Sequence, residues 1–132
     1  MRVVLANGVF DIFHIGHLLY LEQASRMGER LVVSVTADAF VNKGPHRPMF
    51  SAAQRAEIIS ALRFVDEVVI VDGPLQALEL IKPDIFVKGQ DYIDKIEKVH
   101  ADYCTSHGIE IRFTDQPIFS ATKIIYDRLR FG

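Results

Sequence analysis

Short apolar runs alternate along this chain with stretches in which apolar residues recur at helical spacing. The runs predict five strands, at residues 3–6, 30–36, 68–71, 84–88 and 109–113. Helices are predicted between them, beginning near Gly16, Ser51 and Pro74, and further helices over 93–106 and from about residue 120. Strands that alternate with helices indicate an α/β fold with a mostly parallel sheet.

The length and composition of the chain fit one such domain. Its 132 residues are 49% hydrophobic, which is enough apolar material for one core. We therefore expect a single Rossmann-like domain over residues 1–132, with a five-stranded sheet in the order 3-2-1-4-5 and helices on both faces. Ligands of such sheets bind at the carboxyl ends of the strands, near the point where strand order reverses.

Charge and cysteine content exclude several classes of partner. The formal net charge of −2 gives no general basic field, so no nucleic-acid partner is expected. One cysteine cannot form an internal disulfide framework, and it suits a reducing cytoplasm, where we expect the protein. No apolar run approaches membrane-spanning length, and no signal-peptide pattern precedes the first strand.

Apolar residues near element ends favour a homodimer, namely Phe40, Phe50 and Phe64.

Two histidines follow the first predicted strand. Residues 7–17 read Asn-Gly-Val-Phe-Asp-Ile-Phe-His-Ile-Gly-His, so His14 and His17 lie one helical turn apart at the start of a helix. Unpaired backbone N–H groups and the positive end of the helix dipole favour an anion at this position. Gly16 has no Cβ and leaves room for a ligand near the backbone. The pattern predicts a phosphate site.

Other interpretations of the histidines stay open at this point. A histidine near a helix start is commonly a cap or a surface residue. Two histidines can also share zinc, but zinc needs a third protein ligand, and Cys104 lies in a distant predicted helix. Asp11 is a candidate ligand for a metal ion carried by the anion, or a residue that orients a histidine.

Residues 8–17 resemble the His-x-Gly-His signature of the cytidylyltransferase-like nucleotidyltransferases. Residues 87–92, Val-Lys-Gly-Gln-Asp-Tyr, are similar to a Val-Lys-Gly-Gly-Asp-Tyr segment of the nucleotidyltransferase domain of ADP-heptose synthesis enzymes. Residues 120–125 resemble the late Ser-Thr-Thr motif of the family, which includes glycerol-3-phosphate cytidylyltransferase, and Arg55 occupies the place of an arginine that opens the family's second helix. Four motifs in the family's order cover the chain from about Val4 to Ile125.

The chemistry of the residues agrees with this resemblance. The glycine fingerprint of dinucleotide dehydrogenases and the P-loop are both missing after the first strand. Paired imidazoles, a helix N-terminus and several cations suit in-line attack on the α-phosphorus of a nucleotide with loss of pyrophosphate, which needs no covalent protein nucleophile. The resemblance implies transfer from CTP or ATP, with Mg²⁺, to a small phosphorylated polyol, amino alcohol or sugar phosphate.

We expect the catalytic groups to be His14, His17, Lys43 and Arg55. Both histidines should donate to the triphosphate, and the resemblance places His17 close to the α-phosphate. Lys43 lies with Arg47 in a Gly/Pro-containing loop that either folds over the phosphates or is a solvated surface loop. Arg55 at a helix start needs a phosphate or a substrate carboxylate nearby; otherwise Glu57 or Asp66 pairs with it.

The expected nucleotide-binding residues follow the ends of other strands. By resemblance, the segment Lys88–Asp91 handles base and ribose, although it also fits an ordinary turn. Hydroxyls at the head of the last helix can hold the β- and γ-phosphates, and Lys123 either reaches phosphate or faces solvent. The full set is Gly8, Val9, Phe10, Asp11, Gly16, Lys88, Gly89, Asp91, Ser120 and Thr122.

The chain also departs from the family pattern, which leaves the acceptor open. Asp115 stands where glycerol-3-phosphate cytidylyltransferase has an arginine, with Arg112 nearby on a predicted strand. Gln90 replaces the second glycine of the heptose segment, and Ala121 replaces the middle threonine of the late motif. The alternatives are an adenylyltransferase for a pantetheine or flavin phosphate, and a nucleotide-binding module without catalysis.

Overall fold

The computed structural model describes residues 1–117 together with Lys123 and Arg128. The strands are β1 (Val3–Gly8), β2 (Arg30–Thr36), β3 (Glu67–Val71), β4 (Ile85–Lys88) and β5 (Glu110–Phe113). The helices are α1 (Ile15–Ser25), α2 (Ala52–Ser60), α3 (Pro74–Ile81) and α4 (Lys98–Ser106), with 3₁₀ turns at Asp38–Phe40 and Gln90–Tyr92. The predicted last helix, with Ser120, Ala121 and Thr122, lies outside the described residues apart from Lys123, which is helical and exposed.

The five strands form one sheet in the order β3-β2-β1-β4-β5, and every neighbouring pair is parallel. This confirms the predicted α/β class and the order 3-2-1-4-5. The chain runs outward from β1 to β3 and then returns to place β4 on the other side of β1. Strand order therefore reverses between β1 and β4, which is where sheets of this kind bind ligands.

Helices cover both faces of the sheet, as predicted. Successive side chains of a strand point to opposite faces. Val4 and Ala6 thus join one apolar cluster with α1 and α2 residues, including Leu21 and Ile59. Leu5 joins a second cluster, on the side of α3 and α4, that includes Leu78 and Cys104. Both clusters are almost wholly buried, so β1 is fixed from both sides and holds its carboxyl end in place.

Among the predicted strands and the helix over 93–106, two boundaries were wrong by two residues or more. The helix predicted over 93–106 begins only at Lys98, because the chain first makes a 3₁₀ turn and then a turn closed by the Lys95 N–H on the Tyr92 carbonyl, 2.9 Å. β1 was predicted to end at Ala6, but Asn7 and Gly8 continue the pairing with β2. Parallel pairing thus overrides the turn preference of Asn-Gly.

Two further observations concern partners. Within residues 1–117, no helix is long and apolar enough to cross a membrane. Of the aromatic residues expected at an interface, Phe40 and Phe50 are exposed, whereas Phe64 packs against the core. The homodimer stays a prediction.

Candidate active site

A cavity of about 370 Å³ opens at the carboxyl ends of β1 and β4, beside the N-terminus of α1. It lies at the reversal of strand order, so the topology places two of the predicted motifs, the histidine segment and the Lys88–Asp91 segment, around one space. The predicted residues that line it are Gly8, Val9, Phe10, His14, Gly16, His17, Lys43, Lys88, Gly89 and Asp91.

The two histidines form a reciprocal cap on α1. The Gly16 N–H donates to Nδ1 of His14 at 3.0 Å, and the His14 N–H donates to Nδ1 of His17 at 3.2 Å. The same geometry is usually built from Ser or Thr with Glu or Gln. Because each Nδ1 is an acceptor, a neutral ring carries its proton on Nε2, which is then a donor. The rings stack with centroids 3.8 Å apart.

Burial keeps these rings neutral. It lowers the pKa of His17 to about 3, and the nearby His14 and Lys43 lower it further. Burial also lowers the pKa of His14, with an added effect of Lys43. At neutral pH both side chains are therefore uncharged N–H donors. To an anion in the cavity, these two rings present N–H dipoles of fixed direction and no net charge.

The low pKa of His17 predicts that the ligand-free protein loses stability on acidification. The unfolded imidazole takes up a proton near pH 6.5 and the folded one near pH 3, so the unfolded state binds more protons between these values. The free energy of unfolding should fall as the pH drops from about 6.5 toward 3. Urea titrations at several pH values measure the slope, which should be shallower in His17→Gln. Equal slopes in the two proteins would contradict the assignment.

The Phe10 ring packs against the His17 ring. Phe10 is buried and has φ +56°, an uncommon backbone conformation for a side chain of this size. Its ring meets His17 edge-on at 5.3 Å and stacks on Tyr20 at 6.4 Å, and the Tyr20 hydroxyl donates to the Val87 carbonyl at 2.6 Å. The His17 ring is thus braced by groups that are themselves tied to β4.

Gly8 is required for this arrangement, because a Cβ there would lie 2.8 Å from the Phe10 ring. We expect Gly8→Ala to displace the ring, to cost about 1–3 kcal/mol of unfolding free energy, and to lower activity by misplacing His17. Chemical denaturation and a transferase assay measure the two effects. Gly73→Ala is the matched control, since nothing lies within 4 Å of a Cβ at that position. Parental stability and activity of Gly8→Ala would refute the bracing role of Phe10.

Three lysines line the cavity, Lys43, Lys88 and Lys95, and the first two are the ones that sequence predicted. Lys43 is exposed on the loop between β2 and α2. Lys88 ends β4 and is only 8% exposed, with Nζ 4.1 Å from the centroid of the Tyr92 ring. Burial lowers the pKa of Lys88 to about 8, although the charges of Asp91 and Glu97 oppose this. A buried ammonium held over an aromatic face is a strong attraction for a phosphate.

Asp11 does not take either predicted role. It is fully buried and does not line the cavity; its carboxylate accepts from Met49 N (2.8 Å), Phe50 N (3.0 Å) and Arg47 Nε (2.9 Å). Burial alone would raise its pKa, but these hydrogen bonds together hold the pKa below its ordinary value. The interpretation as a metal ligand or histidine-orienting group was wrong, because the carboxylate instead accepts hydrogen bonds from a loop 36–39 residues away in sequence.

Arg55 and Arg47 are also structural in this fold. Arg55 is 2% exposed and donates to Asp38 at 2.6 Å and to the carbonyls of Val9 (2.7 Å) and Phe50 (2.9 Å). Its partner is thus Asp38, not Glu57 or Asp66, and it does not line the cavity. Arg47 is bound to Asp11, so Lys43 alone of the two loop cations faces the cavity.

Sequence reasoning missed residues on two sides of the cavity. Asn7 and Thr36 end β1 and β2, and the rule that ligands bind at carboxyl ends of strands was a signal that pointed to them. No local signal marked five others: Lys95, Ile96 and Glu97 in the turns misassigned to helix, His100 in the first turn of α4, and Gln116 after β5.

Gln90, which departs from the family motif, has a structural role at this rim. Its Nε2 donates to the carbonyls of Asp115 and Gln116 and so joins the ends of β4 and β5. Arg112 is partly exposed, pairs with Glu110 on β5 and does not line the cavity, so it does not replace the arginine missing at Asp115.

The cytidylyltransferase-like family model matches residues 5–125, which include the paired histidines and the Lys88–Asp91 segment. The chain belongs to the cytidylyltransferase-like family. This confirms the predicted family and, with it, an enzyme of the nucleotidyltransferase class.

Two relatives similar in sequence are longer proteins. The chain is 42% identical over 134 residues to the bifunctional protein HldE of Azotobacter vinelandii, and 50% identical over 99 residues to that of Campylobacter jejuni subsp. doylei. These alignments cover 98% and 72% of this chain but only 28% and 22% of the relatives. The chain therefore spans about a quarter of their length.

Solved structures share the fold. The lipopolysaccharide core biosynthesis protein of Thermoplasma volcanium superposes with a TM-score of 0.72 at 29% identity, over 91% of this chain and 99% of that chain. Pantothenate synthetase of Thermus thermophilus superposes with a TM-score of 0.61 at 17% identity, over 92% of this chain and 58% of that chain. At that identity the second likeness concerns the fold alone.

Proposed function

We propose that this protein transfers a nucleoside monophosphate from CTP or ATP to a sugar phosphate and releases pyrophosphate. The observation that carries the proposal is the stacked, neutral histidine pair lining the cavity, in which each Nδ1 accepts a backbone N–H group and each neutral ring therefore carries its proton on Nε2. Family membership supports the reaction class, and the cavity supports a phosphate-rich ligand.

The proposed step is an in-line displacement. A phosphate oxygen of the acceptor attacks the α-phosphorus, a new P–O bond forms, and the bond to the bridging oxygen breaks as pyrophosphate leaves. Nε2–H of His17 donates to an α-phosphate oxygen, and His14 donates to the neighbouring phosphate. Negative charge that builds on these oxygens meets donors already in place, so little reorganisation is needed.

Lys43 and Lys88 offset the negative charge of the phosphate groups. Lys43 binds phosphate oxygens from the loop side, and Lys88 from β4. Asp91 and Gly89 take the nucleoside, since Gly89 has no side chain to block approach and a Cβ there would lie 2.6 Å from Oδ1 of Asp91. Ser120 and Thr122 remain predicted ligands of the β- and γ-phosphates.

We propose that magnesium enters this site as part of the nucleotide complex. The Asp11 carboxylate is saturated by protein donors, and no cluster of three or more metal-binding side chains occurs among the residues that the structure describes. Mg²⁺ commonly keeps several waters and binds through substrate phosphates. Phosphate oxygens of the nucleotide would hold the ion, and its charge would neutralise the triphosphate.

The acceptor class rests on the relatives. One solved structure of similar fold is named a lipopolysaccharide core biosynthesis protein, and the sequence motifs resemble those of an ADP-heptose synthesis enzyme. A sugar phosphate is the acceptor chemistry that both suggest. We further propose that the protein acts in the cytoplasm as a homodimer.

A matrix of substrates tests the proposal. CTP and ATP with Mg²⁺ are each combined with sugar 1-phosphates, phosphorylated polyols, phosphorylated amino alcohols, and pantetheine and flavin phosphates, and pyrophosphate release is measured. We expect release with a sugar phosphate and one of the two nucleotides. Nucleotide binding without release from any acceptor would instead indicate a binding module, and turnover only with pantetheine or flavin phosphates would indicate a cofactor adenylyltransferase.

A further inference from the structure

The β2–α2 loop carries two cations, Lys43 and Arg47, and of these only Arg47 is bound to the buried carboxylate of Asp11. Arg47 donates from Nε to Asp11 at 2.9 Å, and from its terminal nitrogen to the Asp11 carbonyl. Lys43, four residues earlier, lines the cavity. Burial and Arg47 lower the pKa of Lys43, whereas Asp11 raises it, so the lysine lies within the field of both groups.

Asp11 should bind Arg47 in preference to Lys43. A guanidinium is planar and more weakly hydrated than an ammonium, so it loses less on burial beside a carboxylate. The Arg47 side chain is 8% exposed and that of Asp11 is fully buried, so the pair is removed from water. The N–H groups of Met49 and Phe50 fill further acceptor positions of the same carboxylate.

We infer that Arg47 keeps Lys43 available to the ligand by occupying Asp11. This rests on the proposed function, since it takes Lys43 to bind nucleotide phosphates. Arg47 is then a positioning residue: it does not touch the nucleotide, but it removes the carboxylate that competes with the nucleotide for the lysine. The sequence places both cations in one loop, and the structure separates their roles.

The inference has a physical consequence when Arg47 loses its charge. Asp11 would become a buried carboxylate without a cation, which is an expensive state. Lys43 has a long, flexible side chain next to Gly44, whose φ is +91°, and it is the loop cation left to neutralise Asp11. Once paired there, it is lost to the cavity.

A double-mutant cycle tests this dependence. Equilibrium binding of ATP and of CTP, each with Mg²⁺, is measured for the parent, Arg47→Met, Lys43→Met and the double variant, with thermal unfolding measured alongside. We expect each single variant to weaken binding by the same factor, roughly tenfold to a hundredfold, as for a lost charge-assisted contact. The double variant should bind no more weakly than Lys43→Met. Lys82→Met, at the far end of α3, is the control and should bind like the parent.

The contrary results are equally defined. If Arg47→Met weakens binding by the same factor with and without Lys43, then Arg47 acts through the fold or on the nucleotide itself, and the inference is wrong. Parental binding by Lys43→Met would also overturn it. Parental nucleotide binding without pyrophosphate release from any acceptor would defeat the proposed function, whereas the binding cycle would still decide the role of Arg47.

Two further variants keep the test decisive if Arg47→Met does not fold. Asp11→Asn with Arg47→Met leaves no unpaired buried charge and no carboxylate to capture Lys43, so it should bind nucleotide within a few-fold of the parent. Binding as weak as that of Lys43→Met would contradict the inference. Arg47→Lys can still pair with Asp11 and should retain most of the parental binding; a loss equal to that of Lys43→Met would count against it.

Discussion

Replacement of His17 by alanine should lower kcat by about 10²–10³ while the protein stays folded. The variant removes the Nε2–H donor that we place on the α-phosphate, and loss of one preorganised donor to a developing oxyanion typically has this effect. The effect should appear in kcat more than in KM, because the donor interacts most strongly with the charge of the transition state. Pyrophosphate release with the best substrate pair measures it.

Two comparison variants make the His17 result specific. His107→Ala removes an exposed histidine at the end of α4, outside this cavity, and should keep parental activity. His17→Gln offers an amide N–H in place of Nε2–H and should be more active than His17→Ala. Parental turnover by a folded His17→Ala protein would remove this residue from the reaction.

Replacement of Asp11 by alanine should give the largest loss of stability, about 3–5 kcal/mol of unfolding free energy. It leaves Arg47 as a buried cation without its partner, and breaking a buried ion pair from one side typically costs this much. It also leaves the N–H groups of Met49 and Phe50 without acceptors. The free energy is measured by denaturant titration at neutral pH, with and without nucleotide.

The matched control for Asp11 is an aspartate in an exposed ion pair. Asp102 pairs with Lys98 across one turn of α4 at 2.7 Å, and both side chains are largely exposed. Asp102→Ala should change stability by only about 0.5 kcal/mol or less. If Asp11→Ala is as mild as this control, the buried network does not hold the loop that carries Lys43.

The part of the site that sequence predicted is the part encoded locally. His14, Gly16 and His17 follow a strand directly, so their position at a helix N-terminus and their mutual contact depend on a few adjacent residues. Lys88, Gly89 and Asp91 end a neighbouring strand in the same way. The sheet order then brings both segments together, because parallel strands present their carboxyl ends on one edge.

What sequence could not predict depends on contacts between distant segments. Whether Asp11 is a ligand or a buried anchor is decided by Arg47, and the role of Arg55 by Asp38 and the Val9 carbonyl, and no spacing rule relates these positions. The start of α4 is a similar case, because helical periodicity extends into the turns of residues 93–97 that border the cavity. A motif can identify a charged residue without indicating whether that residue faces the ligand or the core.

A crystal structure with Mg²⁺ and a non-hydrolysable analogue of CTP or ATP tests the central claim most directly. The distances from Nε2 of His14 and His17 to the phosphate oxygens are the quantities to measure. We expect both to be about 2.7–3.2 Å, with both Nδ1 atoms still bound to backbone N–H groups. A nucleotide bound elsewhere, with the two rings making no contact to phosphate, would contradict the account.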